Sequence, residues 1–179
     1  MIKAVFLDRD GVIIRSEVTN GLPRPPSTIT DVQLLDGVLE AVEILRANCF
    51  EIVVVTNQPD VARGVTPRKF VEEVNSLIGN LLEIRHFYTC FHDDSDFCEC
   101  RKPLPGLLSS AAKDLDIDLR GSYLVGDRWR DIEAGQSAGC QNFFIDYNYE
   151  EKKPKNGFVR VSSLLEAAQK ILEESIGAK

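Results

Sequence analysis

The feature that most constrains the fold is a repeated alternation of two kinds of segment. Short apolar runs at Ala4–Leu7, Glu51–Thr56, Phe87–Cys90, Tyr123–Gly126 and Asn142–Ile145 are separated by helix-length amphipathic stretches at Gly37–Ala47, Pro67–Glu83, Gly106–Leu115, Arg130–Ala138 and Ser163–Glu174. Most of the runs are rich in Val, Ile, Leu or Phe and lack the polar–apolar alternation of a half-exposed strand. Such runs belong to strands covered on both faces. Strand and helix in regular succession build βαβ units, so the expected fold is α/β, with a central, mostly parallel sheet between layers of helices. Thr66 followed by Pro67 reads as a helix cap and first helical residue. Ser162 or Ser163, with Glu166 downstream, reads as a capping box.

At 179 residues the chain fits one domain, spanning 1–179. Its 44% hydrophobic content is too high for a disordered chain. Acidic residues outnumber basic ones 28 to 21, and a net charge of -7 lacks the footprint of a general nucleic-acid binder. No stretch approaches the ~20 apolar residues of a membrane span. The start of the chain is too short in apolar residues for a signal peptide and has no small-residue cleavage site. These features point to a cytoplasmic protein with neither nucleic-acid nor membrane partners. Five cysteines suit a secreted disulfide scaffold poorly, because the number is odd; clustered in a cytosolic chain, they more often hold metal.

Two stretches break the alternation. Ser16–Asp31 contains Pro23, Pro25, Pro26 and the pair Asn20-Gly21, and reads as a long loop with a turn. Thr89–Pro105 holds three cysteines, one histidine and two prolines. Loops of this length usually serve function, and loops that follow strands reach the carboxyl edge of a sheet, where α/β folds bind ligands.

Chemistry-bearing residues stand at the ends of the apolar runs. Asp8-Arg9-Asp10-Gly11-Val12 follows the first. Two acids so close repel unless a cation neutralises them, and hard cations such as Mg²⁺ suit oxygen ligands; a solvated turn with Gly11 left-handed is the plainer reading. Val55-Thr56-Asn57-Gln58 ends the second run and offers neutral donors to an anion, although such amides are also ordinary turn residues. Arg101-Lys102-Pro103 can hold phosphoryl oxygens, or stand as an exposed basic pair. Gly126-Asp127-Arg128-Trp129-Arg130-Asp131 adds a further acid at a strand end. Asp131 is explained by the dipole of a starting helix; Asp127 stands where a strand-to-helix loop turns toward a site.

Cys90, His92, Cys98 and Cys100 place four soft donors within eleven residues. Three thiolates and an imidazole make a closed tetrahedral Zn²⁺ site with no open position, hence a structural zinc. Cys49 and Cys140 fall outside the cluster and are expected to be small buried hydrophobes. His86 is expected at a loop or strand start. With His92 in the cluster, no histidine is left as an obvious general base.

The order acid pair, Thr, Lys, acid resembles the four motifs of the haloacid dehalogenase (HAD) superfamily of phosphohydrolases, from Ile2 to about Glu174. The resemblance implies a three-layer Rossmann-like core and Mg²⁺-dependent phosphomonoester hydrolysis through an aspartyl-phosphate. It makes Asp8 the nucleophile and Asp10 the general acid and then base. Thr56 and Lys102 hold the phosphoryl oxygens, and Asp8, Asp127 and the backbone carbonyl of Asp10 hold Mg²⁺. The zinc loop ahead of Arg-Lys-Pro, together with Thr56-Asn57-Gln58, Ala62-Arg63-Gly64 and the Gly126–Asp131 segment, is similar to the capless subfamily acting at position 7 of D-glycero-D-manno-heptose 1,7-bisphosphate.

That similarity implies no cap domain and a small sugar phosphate as substrate; the chain is expected to be a monomer. Without a cap, loops at the active edge must choose the substrate, so 16–31 is expected to be a substrate loop beside the 89–105 zinc-binding loop, with Asn57, Gln58, Arg101 and Arg128 as expected substrate contacts. A histidinol-phosphate phosphatase branch with the same fold and zinc loop is the alternative. Pro59-Asp60 and Arg128 depart from the heptose pattern, as does the long Pro-rich 16–31 loop. Two non-catalytic classes also combine some of these features: a receiver domain, which lacks a zinc loop, and a zinc-stabilised binding module.

Overall fold

The computed structural model describes residues 1–177. β1 (Ala4–Leu7) is followed by a hairpin of β2 (Glu17–Thr19) and β3 (Leu22–Arg24), then α1 (Val38–Ala47), β4 (Glu51–Asn57), α2 (Arg68–Leu82) and β5 (His86–Cys90). The second half comprises α3 (Gly106–Leu115), β6 (Tyr123–Gly126), α4 (Trp129–Ala138), β7 (Gln141–Ile145), β8 (Val159–Val161) and α5 (Leu164–Gly177). Six strands form one sheet in the order β5-β4-β1-β6-β7-β8, parallel throughout; β2 and β3 pair antiparallel on their own.

The absence of alternation in the apolar runs has a direct cause. Successive strand residues enter two different cores. Val5, Leu7, Ile52, Val54 and Val125 pack with α1, α2 and α5, whereas Ala4, Phe6, Val53, Val55 and Leu124 pack with α3 and α4. Because both faces are covered, both sets must be apolar.

Most elements fall where the sequence places them, with ends shifted by one to three residues. Four details differ. Pro67 is the cap, extended at ψ 136, and α2 begins at Arg68; the Thr66 amide instead donates to the Asp60 carbonyl at 2.8–3.0 Å along with its neighbour Val65. The loop at Ser16–Asp31 folds as a hairpin, with Asn20 (φ 52) and Gly21 (φ 72) supplying the two positive-φ positions of a tight two-residue turn. β8 carries a polar centre in only three residues, too short to register as a run. Cys49 is exposed, with φ 63 in the turn between α1 and β4, rather than buried. Cys140 is buried, and burial pushes its thiol up to about 12. His86 opens β5. At α5 the expected box forms in part: Ser163 Oγ accepts from the Glu166 amide at 3.2 Å, while the Glu166 carboxylate accepts from the Ser162 amide, one residue before the cap, at 2.7 Å.

β1 lies between β4 and β6, so the connections diverge on either side of it. This is the topological switch point, where a crevice opens beyond the carboxyl ends of the strands.

Candidate active site

Asp8 leaves β1 at that crevice, its amide bonded to the Val125 carbonyl at 3.0 Å. Asp127 leaves β6 next to it, and Asp131 sits in the first turn of α4. Carboxylate oxygens of the three lie within 4.8 Å of one another, all buried. Lys102, 1% exposed, reaches in from the end of the cysteine loop. Its Nζ lies 2.7 Å from Asp8 Oδ1, Asp131 Oδ1 and the Val55 carbonyl, three acceptors for three protons. The Lys102 backbone is fixed by Asn57, whose amide donates to the Lys102 carbonyl at 3.0 Å and accepts from its N–H at 3.1 Å. Asn57 thereby fixes the lysine backbone while it also lines the cavity onto which Asp8 opens.

Three buried acids against one lysine leave the site short of positive charge. Burial pushes Asp8 up to about 7, with repulsion from Asp131 and Asp10 adding to it and Lys102 opposing it. Burial, together with Asp8 and Asp131, also lifts Asp127 well above the carboxylate range. The Tyr149 hydroxyl donates to Asp127 Oδ2 at 2.9 Å, while Asp127 Oδ1 is buried without a hydrogen-bond partner. A buried, unpartnered carboxylate oxygen beside other carboxylates suits a hard divalent cation. Gly11 makes room for this acid: it is left-handed at φ +88, and a Cβ there would come within 2.0 Å of Asp127 Oδ2. The plainer reading of Gly11 was correct about its conformation, and the turn is packed on the acid cluster.

Asp8 moves from its ordinary 3.8 to about 7 on folding, so the folded chain keeps a proton that the unfolded chain releases. The stability of the metal-free protein is therefore expected to fall as pH rises through that interval. A divalent ion competes with the same proton. The Mg²⁺-induced rise in Tm should thus be larger near about pH 8 than near about pH 5.5. Paired thermal melts check this; equal Mg²⁺ shifts at both pH values would remove the buried carboxylates from the metal's ligand set.

Asp10, next along, accepts from Gln58 Nε2 at 2.8 Å, and the same nitrogen lies 2.9 Å from Thr56 Oγ1. Asp8 and Asp10 open onto a cavity of 340 Å³, within the range of about 300–1,000 Å³ common for small-molecule sites. Both broken-pattern stretches line it, the hairpin through Leu22, Pro23 and Arg24 and the cysteine loop through Asp94, Arg101 and Lys102. Its rim is rich in arginine, and most of these are paired. Arg101 donates to Asp94 at 2.8 Å, Arg130 to Asp94 at 3.0 Å, Arg63 to Asp93 at 2.6 Å, and Arg128 is held by the Glu151 carboxylate. Residues 149–151 touch three parts of the site in succession: Tyr149 holds Asp127, the Glu150 amide donates to the Gly21 carbonyl of the hairpin at 2.8 Å, and Glu151 holds Arg128. A larger hollow of 1160 Å³ runs along α2 and edge strand β5 but contains none of the clustered acids.

Cys90, His92, Cys98 and Cys100 form a second donor set. The separations are 3.2 Å for Cys90–Cys100, 3.5 Å for Cys98–Cys100, 3.7 Å for Cys90–Cys98 and 3.3 Å for His92 Nδ1–Cys100. Tetrahedral zinc with Zn–S bonds of about 2.3 Å places its sulfurs about 3.8 Å apart, so the cluster needs only small expansion to hold such an ion. Burial pushes the Cys90 thiol up, a cost that a bound cation removes by taking the thiolate as ligand.

Sequence reasoning missed Asp131, Tyr149 and Glu151. Asp131 sits four residues past Asp127, and its first-turn position concealed its second role: Oδ2 caps the Arg128 amide at 2.9 Å while Oδ1 meets Lys102. Tyr149 and Glu151 carry no local signal.

Residues 27–139 match the haloacid dehalogenase-like hydrolase family. The D-glycero-beta-D-manno-heptose-1,7-bisphosphate 7-phosphatase of Yersinia pestis is 37% identical over 149 residues, covering 76% of each chain. The D-glycero-D-manno-heptose-1,7-bisphosphate 7-phosphatase of Chlorobaculum tepidum is 34% identical over 167 residues, covering 84% of this chain and 81% of that one. Among solved structures, the D,D-heptose 1,7-bisphosphate phosphatase from B. bronchiseptica, complexed with magnesium and phosphate, superposes with a TM-score of 0.83 at 27% identity, covering 97% of this chain and 99% of that one. Sequence match, shared architecture and an acid cluster suited to the divalent ion of such enzymes agree: this chain belongs to the haloacid dehalogenase-like hydrolases and is a phosphatase.

Proposed function

We propose that this phosphatase removes the 7-phosphate of D-glycero-D-manno-heptose 1,7-bisphosphate. The observation that carries the chemistry is the junction at Lys102, whose ammonium meets Asp8 and Asp131 at 2.7 Å on the floor of the cavity. Asp8 Oδ attacks phosphorus, the bond from phosphorus to the sugar oxygen breaks, and Asp10 gives its proton to that oxygen. Asp10 then takes a proton from water as the water oxygen attacks the aspartyl-phosphate, releasing phosphate and restoring Asp8. Lys102 and Thr56 neutralise and orient the phosphoryl oxygens, the main demand of this reaction. Asp8, Asp127 and the Asp10 backbone carbonyl would hold Mg²⁺, which supplies further neutralisation of the phosphoryl charge.

Asp131 keeps Lys102 aimed at Asp8, and Gln58 joins Thr56 to Asp10. Cys90, His92, Cys98 and Cys100 hold a structural Zn²⁺ that shapes the loop delivering Lys102. The 1–179 chain works as one capless cytoplasmic domain and as a monomer, with the 16–31 hairpin and the 89–105 loop choosing the sugar. Arg101 and Arg128 bring positive charge to the rim, and Arg24 has no ion-pair partner among the described residues. A second phosphate on the substrate matches that rim.

The test is phosphate release across a panel of both heptose 1,7-bisphosphate anomers, the heptose 7-monophosphate and histidinol phosphate. The bisphosphate is expected to give the highest kcat/KM, because binding energy from the remote phosphate can lower the barrier at the reacting one. A preference for histidinol phosphate, or none for the bisphosphate, would overturn the heptose assignment.

A further inference from the structure

Arg9 stands between the two acids of the first motif, yet its side chain turns into the protein and is 1% exposed. Burying a guanidinium is costly unless its donors are matched. Here they are shared between two partners. Nε lies 3.1 Å and Nη2 3.0 Å from Asp10 Oδ2, with Nη2 also 3.3 Å from Oδ1. Nη1 donates to Asn75 Oδ1 at 3.0 Å. Asn75 occupies a core-facing position of α2 among Val71, Val74, Ile78 and Leu82, where an apolar residue is the default. Its amide in turn donates to Thr89 Oγ1 on β5 at 3.1 Å. A polar chain thus runs through the core from Thr89 through Asn75 and Arg9 to Asp10, and Gln58 donates to the same Asp10 Oδ2 at 2.8 Å.

Asn75 and Arg9 face the reaction only through Asp10; neither the residues of the acid cluster nor Lys102 bonds to them. What the chain fixes is the orientation of one carboxylate. Asp10 Oδ2 takes Arg9 and Gln58 as donors, whereas Oδ1 has, among the described residues, only the longer Arg9 contact at 3.3 Å, and the residue lines the cavity. A group that protonates a leaving oxygen must lie within hydrogen-bond reach of it, and a small misplacement is expensive in rate. We propose that Arg9, anchored by Asn75, is a positioning residue that aims the Asp10 carboxyl at the leaving-group oxygen. The proposal rests on the reading of Asp10 as the acid–base group.

Leaving-group dependence separates this role from a structural one. Lost folding lowers activity on every substrate by the same factor. A misaimed acid harms poor leaving groups most. The probes are p-nitrophenyl phosphate, whose leaving group needs little protonation, and the best sugar phosphate from the substrate panel. Arg9→Lys keeps a cation but cannot span Asp10 and Asn75 together. It is expected to lower kcat/KM by about 10- to 100-fold on the sugar phosphate and by less than about threefold on the aryl phosphate. In an Asp10→Asn background it should add little further loss, as expected for residues acting as one unit. Equal losses on both substrates, or fully additive losses in the double variant, overturn the proposal. Should Arg9→Lys fail to fold, Asn75→Leu reads the same question, with a smaller loss of about three- to tenfold expected on the sugar phosphate alone; an equal loss on the aryl phosphate overturns it. Asp10→Asn by itself tests the underlying reading: if it shows no leaving-group dependence, the acid role fails, whereas dependence in Asp10→Asn without dependence in the Arg9 and Asn75 variants sinks only the positioning role.

Discussion

Asp8→Asn is expected to lower kcat by about 10⁴-fold or more while leaving the protein folded. The amide keeps the shape of the carboxylate but is a poor nucleophile and a weaker ligand for a hard cation. The fold should tolerate the change because Asp8 is one of two buried acids that share Lys102, which retains Asp131 and the Val55 carbonyl as partners. The change also removes a carboxylate that burial, with added repulsion from Asp131 and Asp10, pushes up to about 7. The metal-free variant is therefore expected to melt at or above the wild-type temperature, with a smaller Mg²⁺-induced shift. Phosphate release and thermal melts together check this. Turnover within tenfold of wild type would take Asp8 out of the nucleophile's role.

The second large effect is on stability. Protein purified without chelator is expected to carry about one Zn²⁺ per chain, and stripping it should lower Tm by about 10 °C or more. Four ligands lie within one loop, so the energy of binding is energy of ordering that loop. Activity should fall with it, because Lys102 follows Cys100 by two residues and depends on the loop for its approach to Asp8. Elemental analysis finding no zinc in chelator-free protein would refute this account.

Much of the site was legible because strand ends are legible. Asp8 and Asp127 follow, and Thr56 ends, short apolar runs without alternation that mark buried parallel strands, and parallel strands bring such ends to one edge. Lys102 was legible through its neighbours, since a dense cysteine cluster announces an ordered loop. Partnerships between distant residues were not legible. Asp127 meets Tyr149 across 22 positions, Arg128 meets Glu151 across 23, and Arg9 meets Asn75 across 66. Nothing local distinguishes these from solvated side chains. Asp131 failed for another reason: its place in the first turn of a helix already accounted for it, so the pairing with Lys102 left no trace. Asn57 and Gln58 read as donors for a ligand; both line the cavity, and their amides also bond to Lys102 and Asp10, partnerships that nothing local announces. Cys49 misled because small and apolar does not mean buried where a turn needs a positive φ.

The succession Tyr149, Glu150, Glu151 bears on how this molecule can change over evolutionary time. Surface connections ordinarily absorb insertions and deletions freely. This one works as a reading frame, because each residue addresses a different partner: an acid of the β6 end, a carbonyl at the hairpin tip and an arginine of the rim. Adding or removing a single residue there would shift all three contacts together, whereas the exposed tip of the 17–24 hairpin ties only one carbonyl. New substrate preferences are therefore expected to arise by changing the length and sequence of the hairpin, while the segment opposite it keeps its length.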